Sequence, residues 1–287
     1  MREYLVSFYS QQGGVEFEYL EDQDYILMEC GNCGLIYQRD IPNDYLMQKL
    51  YEEWIDPQKC FDLYERSRGI QYFDQISSEI VKIVKILGRP PMDLKFLDYG
   101  MGWGHWCRIA QSFGCTAHGT EISRAQIDYA RSSGVTVIDD TEIADHQYDF
   151  INTEQVFEHL PDIRTTLNYL KKSLKPGGIL KINVPNGWDI KRRLKVWNWS
   201  APKGNPDSLN SVAPLEHLNC FNHASLLVLA RSSGLFSVDT NPTSGKALDV
   251  KQMAWSKLRP YWHRLKGIRT PPASQGTYLF FRVSEPA

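Results

Sequence analysis

The stretch Phe96-Leu97-Asp98-Tyr99-Gly100-Met101-Gly102-Trp103-Gly104 constrains this chain more than any other. An apolar run ends in an acidic residue. Three glycines then alternate with larger residues, and an amphipathic segment follows over 105–113. That order reads as a strand, a tight turn and a helix start. Glycine has no Cβ, so it permits positive φ and close approach of a ligand to the backbone. The helix start beyond it presents unpaired N–H groups. In α/β sheets such a turn, at the carboxyl end of a first strand, holds nucleotide-like cofactors. A dinucleotide turn reads G-x-G-x-x-G, and counted from Gly100 its third glycine falls on His105. The spacing here is instead D-x-G-x-G-x-G, through Asp98, Gly100, Gly102 and Gly104.

Strands and helices alternate beyond the turn. Strands are expected at 95–99, 116–120, 135–138, 148–152 and 179–184, with two more at 235–238 and 277–283. Amphipathic helices lie between them, one with Ile163, Leu167, Leu170 and Leu174 on a single face. Such alternation predicts an α/β fold with a doubly wound parallel sheet. Glu121 ends the second strand, 23 residues after Asp98. An acidic residue there can accept both hydroxyls of a ribose; the plainer role is a charge at the next helix N-terminus.

Several ordered segments carry a resemblance to a known family. The D-x-G-x-G-x-G turn resembles motif I of the class I S-adenosylmethionine (SAM) methyltransferases. Tyr148-Asp149-Phe150-Ile151-Asn152, continued by Val156-Phe157-Glu158-His159-Leu160-Pro161-Asp162, resembles the family's more specific "FD-x-I … v-l-E-H-l-x-D" segment. Leu174-Lys175-Pro176-Gly177-Gly178 before an apolar strand is another of its hallmarks. The resemblance covers about 92–240 and implies a Rossmann-like, mostly parallel, seven-stranded sheet. It implies SAM as methyl donor, held by Asp98, Gly100, Met101, Gly102, Gly104, Glu121, Ile122, Glu154 and Gln155. It also implies an adenine contact from Asp139 or Asp140, between which spacing does not choose.

The acceptor side is less explicit. Glu216-His217-Leu218-Asn219-Cys220-Phe221-Asn222 resembles the family's "E-H-l-x-x-f-t" stretch over the transferable methyl. A sulfonium needs no acid to leave, so the residual chemistry is alignment and proton removal. His217 is the first candidate for the base, since a neutral imidazole takes a proton near physiological pH. Glu216 would orient it or bind substrate, and His159 is the second candidate. Against these stand roles in bracing a loop or packing a helix. Some quinone and small-RNA methyltransferases hold magnesium through E-x-x-E-H. Here the first position is Gln155, and hard cations favour carboxylates, so no metal is expected at this segment.

At 287 residues the chain accommodates one large domain and a small one. The expected division is a small β-rich N-terminal module over 1–60, a connecting helix over 61–91, and the larger domain over 92–287. Cys30-Gly31-Asn32-Cys33 in the first module resembles one knuckle of the zinc ribbon that precedes some sugar-modifying methyltransferases. Residues 8–14, where the other knuckle belongs, contain no cysteine, so a metal-free remnant competes with a zinc site. Charge is uneven: residues 1–60 carry 12 acidic and 4 basic side chains, and residues 187–287 carry 6 and 14.

Two basic inserts, 187–214 and 245–275, also bear tryptophans. They suit a phosphate-bearing or sugar substrate, an anionic membrane or lipid-linked substrate, or a solvated face. No nucleic-acid motif is visible. The sequence Met1-Arg2-Glu3-Tyr4 lacks a signal peptide's apolar core. The six scattered cysteines then read as reduced thiols in the cytoplasm. Two rivals to methyl transfer to a small acceptor remain at this stage. One is a nicotinamide-dependent oxidoreductase of the same fold class, which His105 counts against. The other is a non-catalytic SAM-binding or scaffold protein.

Overall fold

The computed structural model describes residues 2–10, 12–65, 68–238 and 276–283. Helix α1 (Arg2–Tyr9) opens the chain and buries Leu5 and Tyr9. Val15-Glu16-Phe17-Glu18-Tyr19-Leu20 alternates apolar and acidic residues as a strand of the expected β-rich module would, but Phe17–Leu20 is a 3-10 turn. Among the described residues no strand pairs with it. Phe17 and Leu20 share one side of the turn and pack around Leu5, Tyr9, Leu50 and Trp54. The hairpin of β1 (Leu27–Glu29) and β2 (Ile36–Gln38) turns at the two cysteines. Helix α2 (Asp44–Lys49), capped by Asn43, runs on into a π-helical turn over Leu50–Trp54. Helix α3 (Pro57–Cys60) likewise runs into a π-helical turn, Phe61–Glu65.

The connecting helix expected over 61–91 is α4 (Ile70–Leu87), which buries Ile80 and Ile83, and Gly88 in the left-handed region ends it. Strand β3 (Lys95–Tyr99), helix α5 (His105–Ser112), strand β4 (Thr116–Thr120), helix α6 (Arg124–Ser132) and strand β5 (Thr136–Val137) follow. Strand β6 (Tyr148–Glu154), helix α7 (Ile163–Lys172), strand β7 (Leu174–Val184) and helix α8 (Ile190–Val196) come next. Strand β8 (Asn219–Cys220), helix α9 (His223–Ser232), strand β9 (Leu235–Ser237) and strand β10 (Thr277–Val283) complete the described chain. The Leu174-to-Gly178 segment belongs to β7 itself, with an irregular register against β6.

The main sheet has seven strands in the order β5-β4-β3-β6-β7-β10-β9. β10 runs antiparallel to β7 and β9, and the other pairings are parallel. This is the Rossmann-like doubly wound sheet expected of the sequence. The first six residues of β6 are buried, as a strand covered on both faces must be. Phe96, Trp106 and Phe150 fill one layer. Leu97, Ile151, Leu180 and Phe281 fill the other. Each such side chain contributes about 1.5–3 kcal/mol through removal from water. The chain moves outward from β3 through β4 to β5, then crosses to β6 on the other side of β3. That reversal opens a crevice at the carboxyl ends of β3 and β6.

A small antiparallel sheet joins the N-terminal segment to the residues just after His217. Its order is β1-β2-β8, so β2 pairs with β1 on one side and with 219–220 on the other. The N-terminal residues are therefore more helical than the β-rich reading predicted. Their sheet is completed by the strand just after Glu216-His217.

Candidate active site

The glycine turn closes over the end of β3. Gly100, Gly102 and Gly104 have φ of 74°, 54° and 74°, a region that side chains enter at a cost. A Cβ on Gly100 would meet Val156 at 2.6 Å, and one on Gly104 would meet Val135 and Ala130 at 3.0–3.1 Å. At Gly102 nothing lies within 4 Å. Two glycines thus make room for the protein itself, and the middle one faces open space. Its N–H donates to Glu121 Oε2 at 2.9 Å, and Glu121 Oε1 accepts from the Ile122 and Ser123 amides. Glu121 therefore stands beside Gly102, at the open face of the turn.

The other expected cofactor residues divide. Asp98 is 2% exposed, accepts from Asn152 Nδ2 at 2.7 Å, and has its pKa pushed up to about 7 by burial. It supports the turn from below. Met101 turns into the core against Gly119, so only its backbone faces the turn. Ile122 is 77% exposed next to Glu121. Asp139 caps the 3-10 turn Asp140–Asp145 through a reciprocal pairing with Glu142. Asp140 instead accepts from the hydroxyl of Tyr99, the last residue of β3, at 3.3 Å. Glu154, at the end of β6, takes Lys181 Nζ at 2.8 Å and the Asn183 amide. Gln155 follows with φ of 55° and donates its N–H to Asn183 O. A left-handed non-glycine residue is a strained choice, of a kind that clusters at functional sites.

A second polar cluster lies past β6. Glu158 is 1% exposed and neither of its carboxylate oxygens has a hydrogen-bond partner among the described residues. Burial pushes its pKa up to about 8. His159 Nε2 is 3.7 Å from Glu158 Oε1, and the ring centroids of His159 and His217 are 5.0 Å apart. His159 Nδ1 is 2.9 Å from the Glu216 carbonyl oxygen. His217 Nδ1 pairs with the Asn210 carbonyl. A carbonyl only accepts, so both Nδ1 atoms carry the proton and both Nε2 atoms are left with a lone pair. Burial, and for His217 the neighbouring His159, holds the two imidazoles neutral down to about 4 and about 3. One ligand atom from each of Glu158, His159 and His217 lies within 4.8 Å of the others, a set able to hold a cation.

The sequence expectation that Glu216 orients His217 fails on geometry. The Asn210 carbonyl does that, and the Glu216 carboxylate accepts from Tyr9 at 2.6 Å. Residues 1–60 reach the cluster three times: Tyr9 at Glu216, Gln38 at the Ala213 and His217 carbonyls, and Tyr51 at His159. Sequence reasoning missed these contacts because each spans more than 100 residues and follows no local pattern.

The insert at 187–214 is less basic in effect than in composition. Lys191 pairs with Glu29, Arg192 pairs with Asp189 and Asp207, and Arg193 is buried. Arg193 donates to the Asn186, Trp188 and Ser208 carbonyls, tying both ends of the loop together. Trp188 and Trp197 are exposed. Lys203, also exposed, acts electrostatically on Glu158, His159, Glu216 and His217. The second insert, 245–275, lies outside the described residues. Among the described residues no other ligand-type side chain clusters with Cys30 and Cys33, and the zinc-ribbon resemblance gains no support. No described helix is long and apolar enough to cross a membrane.

Comparison with known proteins fits this geometry. Residues 69–239 match a family model described as a methyltransferase domain. The chain is 25% identical over 209 residues to ubiquinone biosynthesis O-methyltransferase of Bartonella tribocorum, covering 63% of this chain and 80% of that one. It is 28% identical over 136 residues to phosphoethanolamine N-methyltransferase 2 of Caenorhabditis elegans, covering 43% and 31%. Among solved structures, a SAM-dependent methyltransferase from Clostridium acetobutylicum aligns at 9% identity with a TM-score of 0.47, covering 79% of this chain and 97% of that one. With the family model spanning more than half the chain, over the glycine turn, Glu121 and both histidines, the protein belongs to the methyltransferase domain family and is a SAM-dependent methyltransferase.

Proposed function

We propose that this enzyme methylates a small acceptor bearing an anionic group, such as a sugar phosphate or other phosphorylated metabolite, with His217 as the general base. The observation that carries the reading is the tautomer of His217: its Nδ1–H is held by the Asn210 carbonyl, so Nε2 is left as an acceptor on a ring that clusters with Glu158 and His159. SAM, when bound, supplies a methyl group on a sulfonium that departs as a neutral thioether. Gly100, Gly102 and Gly104 with Glu121 would hold its adenosine, and Asp140 would reach its adenine. His217 takes the acceptor's proton as the nucleophile closes on the methyl carbon. An imidazole kept neutral by burial is a weak base alone; Glu158, whose pKa burial raises to about 8, stabilises the imidazolium as it ionises towards that pH. Lys203, exposed and without an ion pair among the described residues, supports the anionic group on the acceptor. The test uses SAM with a labelled methyl group and a panel of sugar phosphates, nucleotide sugars and phosphorylated amino alcohols. Label should pass to one class, and Lys203→Ala should raise the acceptor KM by about tenfold with kcat retained. Equal turnover of phosphorylated and dephosphorylated probes would contradict the anionic acceptor.

A second reading is favoured by Glu158, whose buried oxygens are both unpartnered. A divalent cation held by Glu158, His159 and His217 would polarise the acceptor oxygen, taking the place of the base. Dialysis against EDTA followed by manganese or zinc separates the two: activity that survives EDTA unchanged leaves the base reading.

A further inference from the structure

The hairpin between β1 and β2 carries two thiols that methyl transfer does not use. Cys30 closes the end of β1: its N–H donates to the Leu35 carbonyl at 2.8 Å, and its carbonyl accepts from the Gly34 N–H at 2.9 Å. Gly34, with φ of 71°, lets the chain turn there. The turn brings together two sulfurs that stand three positions apart. The Cys30 sulfur accepts from the Cys33 and Asn32 amides and from the Cys33 thiol. Both thiols are free and partly exposed.

The two are unequal. The Cys33 amide, the Asn32 amide and the Cys33 thiol hold Cys30 below the ordinary cysteine value, whereas burial raises Cys33. The Glu29 carboxylate opposes the Cys30 thiolate, but Lys191 pairs with Glu29 at 2.5 Å. Burial pushes Cys60 and Cys115 up to about 11, Cys220 up to about 12, and Cys107 well above its ordinary value. The thiolate is the attacking form of a cysteine. Cys30 is therefore the thiol of this chain best placed to attack, with Cys33 as its neighbour.

We propose that Cys30 and Cys33 form a dithiol–disulfide site oxidised by a small-molecule disulfide, with Cys30 as the attacking sulfur and Cys33 as the resolving one. In the first step the Cys30 thiolate attacks one sulfur of R–S–S–R. A new sulfur–sulfur bond forms, the old one breaks, and one RS⁻ leaves with the electron pair. Cys33 then gives its proton to solvent and attacks the Cys30 sulfur, expelling the second RS⁻. The pair has lost two electrons and two protons, and the small disulfide has become two thiols. The site is independent of the methyl acceptor. It adjoins the segment that follows His217, because β2 pairs with β8 and the Gly34 carbonyl accepts from Asn222 Nδ2 at 3.2 Å.

The test reduces the full chain, removes the reductant under nitrogen and adds glutathione disulfide, with products followed by intact mass and peptide mapping. Wild type should lose two hydrogens in the peptide that holds Cys30 and Cys33, and dithiothreitol should restore them. Cys33→Ser should instead hold one glutathione on Cys30. In Cys30→Ser, Cys33 should react at least about tenfold more slowly than Cys30 does in Cys33→Ser, because the attacking form is the thiolate. Circular dichroism checks that both variants fold. A pair that stays reduced in excess glutathione disulfide, an adduct that forms on Cys33 as fast as on Cys30, or a first reaction at one of the other four thiols would each overturn the proposal. So would zinc that co-purifies with the chain and blocks both thiols until a chelator removes it, the mark of a metal site.

Discussion

His217, Glu158 and Gly102 are where single atoms decide the outcome. His217→Ala should lower kcat by about 10²–10⁴, the usual contribution of a positioned general base. SAM affinity should change little, because His217 stands apart from the glycine turn, and calorimetry beside steady-state kinetics checks both. Glu158 makes a prediction about stability. Its folded pKa, about 8, lies above the ordinary glutamate value, as does that of Asp98, about 7. Between the ordinary carboxyl range and pH 8 the folded state therefore binds more protons than the unfolded one, so stability falls as pH rises through that window. The slope approaches about 1.4 kcal/mol per pH unit for each such group. Glu158→Gln should flatten it, which urea unfolding at pH 5, 6.5 and 8 would read; an unchanged slope would place the charge elsewhere. The histidines act in the opposite sense. With folded values near 3 and 4, their contribution is lost as pH falls from about 6.5 towards 3. At this scale the sequence showed residue types and little of their pairing. His217 was legible as a candidate base, but its partner is a backbone carbonyl, which no side-chain pattern announces. Tyr51 was illegible for the same reason: only the folded chain brings it to His159.

Among the elements, the glycine turn was the most legible. Strand, turn and helix are local, and positive φ at alternate residues selects glycine directly. Gly102→Arg tests it. Nothing crowds the position, so the variant should fold with a cost of about 1–2 kcal/mol for the left-handed backbone. It should lose SAM affinity by at least a hundredfold, because the side chain fills the open face. A folded variant that binds SAM as well as wild type would refute the assignment. The α8 loop was legible only as a basic insert. Arg193 is 2% exposed and ties Asn186 and Trp188 to Ser208, two residues before the carbonyl that holds His217. Arg193→Met should destabilise the fold by roughly 3 kcal/mol, since it leaves the Asn186, Trp188 and Ser208 carbonyls without their donor. Chemical denaturation measures this directly. The 3-10 turn at Phe17–Leu20 marks the limit of periodicity. Alternation needs a neighbouring strand, and whether one exists is a tertiary matter.

For the molecule as a whole, the doubly wound, mostly parallel sheet followed from the alternation of strands and helices, which local patterns carry. The meeting of the N-terminal segment with residues around 159 and 213–220 did not. The small sheet pairs β2 with β8, and Tyr9, Gln38 and Tyr51 all meet the segment around Glu216-His217 or His159. Side chains of the N-terminal segment therefore brace the cluster of His159 and His217. The measurement that bears most directly on this arrangement is the transfer of labelled methyl from SAM by wild type and Gly102→Arg, with S-adenosylhomocysteine quantified in the same reaction. One S-adenosylhomocysteine should form for each methyl transferred by the wild type, and none should form above background in the variant. Equal formation by both proteins, or none by either, would contradict the site described here.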